Sequence, residues 1–60
     1  MNNPEPSQVK QARKAAGLTQ QKSADMLHTQ IRVWQQWEYG ERRMHPAFWE
    51  LYRIKTKGFV

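Results

Sequence analysis

Cysteine is absent from this chain. That excludes a disulfide framework and any Cys-based metal site, and it fits a reducing compartment. Long apolar runs are absent as well. None approaches the roughly 20 residues that a membrane span needs, and no charged-then-apolar secretion signal opens the sequence. Acidic residues are few: five Asp and Glu stand against ten Lys and Arg, for a formal charge of +5. Such an excess either stays solvated or attracts phosphates, and only its location decides between the two. His28 and His45 have no carboxylate or cysteine at ligand spacing. There is no nucleophile–base constellation and no phosphate-cradling Gly loop, so no metal, cofactor, small-molecule ligand or enzymatic activity is expected. Repeats and low-complexity segments are missing too. What remains is one small domain. A chain of this length buries only about 60% of its unfolded surface, so a partner subunit would help it.

The sequence does hold helical punctuation. Residues 1–6, MNNPEP, read as a flexible arm. Ser7 is a plausible N-cap, with Lys10 where a capping-box acid would stand. A first helix from about Gln8 to Ala16 ends at Gly17, an αL cap. Val9, Ala12, Arg13 and Ala16 share one face, which puts Arg13 on the inward stripe. There it either snorkels to water or finds a buried acid. Thr19 caps a second helix, about 20–27, with Leu18, Ala24 and Leu27 turned inward. Ser23 and Ala24 are small enough for another helix to approach closely. His28-Thr29 forms the turn.

A third helix, about 30–39, stops at Gly40. At about 100° per residue, Val33, Trp34 and Trp37 gather on one side. Ile31, Arg32, Gln35, Gln36 and Tyr39 occupy the other. Glu38 lies at the edge of the apolar side, where Arg13 could meet it, so an Arg13–Glu38 pair is expected between helices 1 and 3. Residues 41–45 form a basic loop. Pro46 suits the first position of a fourth helix ending near Lys55. Ala47, Leu51 and Ile54 are its expected inner stripe, with Phe48 beside them. Trp49 and Tyr52 would then widen the apolar surface and, with Phe59, offer a dimer interface. Residues 56–60 are a tail without assigned structure.

The run Arg13, Gly17-Leu18-Thr19-Gln20, Ala24, Leu27, Trp37-Glu38 and Gly40-Glu41 resembles the Cro/C1-type, or xenobiotic-response-element, helix-turn-helix family. The resemblance covers roughly Val9 to Ile54, and the size is similar to that of phage-type regulators such as the anti-CRISPR-associated autorepressors. It implies an all-α, four-helix, lambda-repressor-like domain over residues 7–55, its fifth helix absent or vestigial. It implies Gln20, Thr29, Tyr39, Arg42 and Arg43 on phosphates, and Gln30, Ile31, Arg32, Gln35 and Gln36 towards bases. It also implies the Arg13–Glu38 pair reached above from periodicity. Two departures stand out: His28 replaces the usual turn glycine, and Trp34 fills a slot usually held by Val or Ile.

These residue types suit a major groove, where every base pair shows a distinct donor and acceptor pattern. Arg32 can fork onto guanine, and Gln30 or Gln36 can bond adenine. Ile31 either meets a thymine methyl or tucks under the turn into the core. Gln35 either reads a base or is a solvated polar residue. Arg42 and Arg43 would position without specifying. The expectation is a cytoplasmic homodimer on a palindromic double-stranded operator in a bacterial cell, repressing transcription. The alternatives are an interaction module, such as an antitoxin or inhibitor, and a non-specific nucleic-acid binder.

Overall fold

Four helices form within residues 3–57, which the computed structural model describes: α1 (Pro6–Ala15), α2 (Gln20–Met26), α3 (Ile31–Tyr39) and α4 (Pro46–Thr56). No strand occurs among the described residues. The fold is therefore all-α, as the apolar spacing predicts. Phe59 lies outside the described residues. No helix among those described is long and apolar enough to cross a membrane.

Each helix end has a local cause. α1 starts earlier than its sequence suggests, with Glu5 rather than Ser7 as the N-cap. Pro6 takes the first helical position, where its missing N–H costs nothing. The Glu5 N–H donates to Gln8 Oε1 at 2.7 Å, the reaching-back half of a capping box. Residues 3–5 also run against the fold: Asn3 Nδ2 donates to the Met44 carbonyl at 2.7 Å. The proposed arm is thus tethered from its third residue on.

Gly17, at φ 71°, closes α1. Its N–H reaches the Lys14 carbonyl and the Leu18 N–H reaches that of Arg13, which makes a Schellman motif. The same pattern ends α2, where the His28 N–H bonds the Asp25 carbonyl and the Thr29 N–H that of Ala24. Here the left-handed position falls on His28, at φ 56°. A non-glycine residue there carries strain of about 1 kcal/mol or more. Thr19 Oγ1 accepts from the Lys22 N–H at 3.1 Å and starts α2. His45 Nδ1 accepts from the Ala47 N–H at 3.0 Å and starts α4. Gly40, at φ 79°, ends α3.

The core is Val9, Ala24, Leu27, Trp34, Trp37, Met44 and Tyr52, all buried. α3 lies at the centre, packed most closely on α2 and then on α1. Trp34 meets the Tyr52 ring at 4.8 Å between centroids and the Trp37 ring edge-on at 5.9 Å. Trp34, where a β-branched residue would be usual, shares the core with the small Ala24, and Ser23, also fully buried, bonds the Tyr52 that packs on the Trp34 ring.

α4 is rotated relative to its expected register. Its inner residues are Tyr52 and Thr56, with Trp49 partly buried against the core. Ala47, Leu51 and Ile54 are exposed instead, and Phe48, though partly exposed, lays its ring 5.5 Å from that of Trp37. Two contacts fix this rotation. Tyr52 Oη shares a buried 2.7 Å hydrogen bond with Ser23 Oγ, and Lys55 Nζ donates to the terminal carbonyl of α2, Met26 O, at 2.8 Å. Tyr52 is therefore core and not available to a second copy. Trp49 keeps a partly exposed edge, which Arg53 approaches at 5.7 Å from the ring centroid. Thr56 belongs to the helix rather than to the tail, with Oγ1 donating to the Tyr52 carbonyl at 2.8 Å.

Candidate nucleic-acid interface

The candidate surface begins with what lies behind it. Arg13 leaves α1 on its inward stripe and reaches Glu38 on α3, its Nε at 2.6 Å from Oε2 and its Nη2 at 3.3 Å from Oε1. Its Nη1 donates to the Leu18 carbonyl at 3.1 Å. The Glu38 side chain is 1% exposed and that of Arg13 is 16% exposed. This is a buried, two-pronged ion pair rather than a snorkelling arginine. Glu38 also accepts from the Trp34 indole N–H. The sequence held a signal for this second bond, since a buried tryptophan needs a partner for its N–H and Glu38 stands four residues on, one helical turn away.

Burial raises the Glu38 carboxyl. Hydrogen bonds from Arg13 and Trp34, together with the Arg13 charge, outweigh it and hold the group below its ordinary value of 4.5. Tyr52 goes the other way: burial pushes its phenol above 10.0, and the Ser23 hydrogen bond only partly offsets that. Both groups serve as fixed structural partners at neutral pH. Among the described residues, no buried side-chain polar atom lacks a partner.

With its inner side locked, α3 turns the remaining residues outward. Gln30, its N-cap, and Arg32 are exposed at one end, and Tyr39, Arg42 and Arg43 are exposed at the other. Ile31, Gln35 and Gln36 are half-buried between them. Ile31 is thus neither a core residue nor a freely solvated one. A nine-residue helix is roughly 13 Å long, about the rise of four base pairs. The exposed basic residues exceed the acidic ones on this surface, because Glu38, the one acid on α3, is spent on Arg13. Among the other sequence-chosen positions, Thr29 is half-buried in the turn.

Three of the chosen residues are brought into direct contact. Gln35 Nε2 donates to Gln20 Oε1 at 3.3 Å, and Gln20 Nε2 donates to Tyr39 Oη at 3.3 Å. The sequence placed Gln35 with the base-facing group and Gln20 and Tyr39 with the phosphate group; the structure joins them. At the end of α3, the N–H groups of Glu41 and Arg42 both reach the Gln36 carbonyl. Beyond that turn, Arg42 and Arg43 line a cavity of about 360 Å³ with residues 3–6 and Trp37, on the side of α1 rather than beside Gln30 and Arg32. Met44 was not singled out by the sequence, yet it is buried and anchors this loop. A lone methionine between charged residues gives no periodic signal.

No family model matches the chain. Over 52 residues, 87% of this chain, it is 35% identical to the type II methyltransferase M.MspI of Moraxella sp.. The chain spans 12% of the length of that curated relative.

Proposed function

We propose that this protein binds double-stranded DNA sequence-specifically, with α3 in the major groove, as a Cro/C1-type helix-turn-helix regulator. The observation that carries the reading is the two-sidedness of α3. One side is pinned by Trp34, Trp37 and the Arg13–Glu38 pair, and the other presents Gln30, Ile31, Arg32 and Gln36. Arg32 would fork onto a guanine, Gln30 and Gln36 onto adenines, and Ile31 would meet a thymine methyl. Gln20, Thr29, Tyr39, Arg42 and Arg43 would hold phosphates and set the angle of entry.

Two copies related by a twofold axis would place their α3 helices in successive major grooves, about 34 Å apart, on a palindromic operator. Occlusion of polymerase in the bacterial cytoplasm would make the protein a repressor, of phage or mobile-element type. The role is non-enzymatic. The transferase chemistry of the Moraxella relative is not carried over, since so little of that protein is matched. A second reading, an interaction module, draws on the apolar outer face of α4, where Leu51 and Ile54 are exposed.

Binding selection from random duplex DNA tests the proposal. It should return a palindrome whose half-sites are centred 10 to 11 base pairs apart, about one helical turn. Recovery of no preferred sequence, alongside capture of a protein partner that Leu51→Glu abolishes, would favour the interaction module.

A further inference from the structure

A hydrogen-bonded string leads from the buried Arg13–Glu38 pair to the outer side of α3. Gln20, at the start of α2, donates from its side chain to the Glu38 carboxylate, which is 1% exposed. Its Nε2 also donates to Tyr39 Oη at 3.3 Å. These two bonds use both amide hydrogens of Gln20 and leave its Oε1 to accept. Gln35 meets that oxygen with its own Nε2, at 3.3 Å. The string therefore runs in one sense. Turning the Gln20 amide over would set its oxygen against the carboxylate, and turning the Gln35 amide over would set two oxygens against each other. Gln35 keeps its Oε1 and one amide hydrogen. Spending on Gln20 the hydrogen remote from Oε1 keeps the two oxygens apart, so what is left is the edge on which N–H and C=O lie side by side.

We propose that Gln35 reads an adenine, with the sense of its amide set by the buried Glu38 acting through Gln20. This rests on the DNA reading above, and it moves the Gln20 side chain from the phosphate set to a positioning role. In the major groove adenine shows an N6 donor beside an N7 acceptor, which a C=O and an N–H side by side match. Gln35 lies one helical turn on from Ile31, at the half-buried margin of the outward set. A solvated glutamine offers its amide in either sense and gives up rotamer freedom when it binds. One already bonded through Nε2 has given up that freedom in the free protein, so it meets the base preorganised. Glu38 thus both holds α3 and orients a reader on its far side, without touching DNA.

The test uses the full chain, the selected duplex and a set of duplexes with each half-site base pair changed in turn. Gln35→Ala should cut the preference for adenine at one base pair about fivefold or more, as loss of a bidentate contact does. Gln20→Met keeps the length of the side chain and removes its amide. It should cut the preference at that same base pair about threefold to tenfold, as loss of one hydrogen bond does, and leave the other base pairs discriminated. In a Gln35→Ala background, Gln20→Met should not change that preference further. In the free protein, Gln20→Met should shift the Gln35 side-chain amide resonances and speed their exchange with water. Equal weakening on every duplex with either variant would overturn the proposal, as would a preference lost at different base pairs. Gln35 amide resonances that ignore Gln20→Met would overturn the coupling whatever the DNA result. If Gln35→Ala is silent while wild type still prefers the selected duplex, this inference alone falls. Wild-type protein that binds all duplexes alike would sink the sequence-specific reading and the adenine contact together.

Discussion

α3 and α4 are both aromatic-bearing helices, and they end up with opposite surfaces. α3 buries Trp34 and Trp37 and shows polar side chains to solvent. α4 buries Tyr52 and Thr56, with Trp49 half-covered, yet leaves Phe48, Leu51 and Ile54 exposed. The difference lies in the polar anchors. Glu38 ties α3 to Arg13 and Trp34, and Tyr52 ties α4 to Ser23. Apolar area alone would let α4 roll, because both of its sides are apolar; a buried hydroxyl that must find a partner does not allow it. The forked polar outer side of α3 is the one that the proposed DNA reading uses, and the apolar outer side of α4 is the one that the interaction-module reading would use.

The strongest way to break the comparison is to remove the anchor of α3. Glu38→Ala should destabilise the fold by about 3–5 kcal/mol, because it strands the Arg13 charge and the Trp34 N–H. Urea unfolding measures it, and a loss below 1 kcal/mol would mean that α3 is held by apolar packing alone. The pH dependence carries the same signature. The folded Glu38 carboxyl lies below its unfolded value of 4.5, so its stabilisation is fully present above that pH and is lost as the pH falls through the folded value. Glu38→Gln should flatten the acid limb of the stability profile; an unchanged limb would assign it to other carboxylates.

The anchor of α4 should be worth less. Ser23→Ala and Tyr52→Phe should each cost about 1–3 kcal/mol, because each leaves a buried hydroxyl unpaired. The double variant should cost clearly less than the two losses added together. Strict additivity would show that the bond does not fix the rotation of α4.

These anchors also explain what could be read from the sequence. The Arg13–Glu38 pair was legible because each residue sits on a one-sided stripe, and two such stripes leave a single geometry. The ends at Gly17, Thr19 and Gly40 were legible because each residue type has a local physical reason to be there. α4 was not legible. Ala47, Leu51 and Ile54 form as regular a stripe as Trp49, Tyr52 and Thr56, and the choice between them depends on Ser23, twenty-nine residues from Tyr52 along the chain. The start of α1 was missed for a narrower reason. Ser7 is a good cap in isolation, but Glu5-Pro6 with Gln8 supplies a better set. In the candidate site, the outward set on α3 followed from periodicity. The joining of Gln35 to Gln20 and Tyr39 did not, because it depends on how α2 sits against α3.

Between the two helices, the turn gives a smaller effect of opposite sign. His28→Gly should relieve the left-handed strain and stabilise the protein by up to about 1 kcal/mol, raising Tm by about 4–8 °C in a domain of this size. A lower Tm would show that the imidazole contributes contacts that outweigh the strain. The smallest effect belongs to the outer side of α4. Leu51→Glu should change the stability of the isolated subunit by less than about 0.5 kcal/mol, as surface substitutions do. A cost of 2 kcal/mol or more in dilute solution would mean that this face is covered.

The claim that the outer side of α3 reads bases is tested most directly by the affinity of Arg32→Ala for the selected duplex and for its single-base-pair variants. Arg32→Ala should lose about 1–3 kcal/mol on the selected duplex and relax preference at one base pair, with the others still discriminated. Equal weakening on every duplex would contradict it and reduce Arg32 to one more phosphate contact.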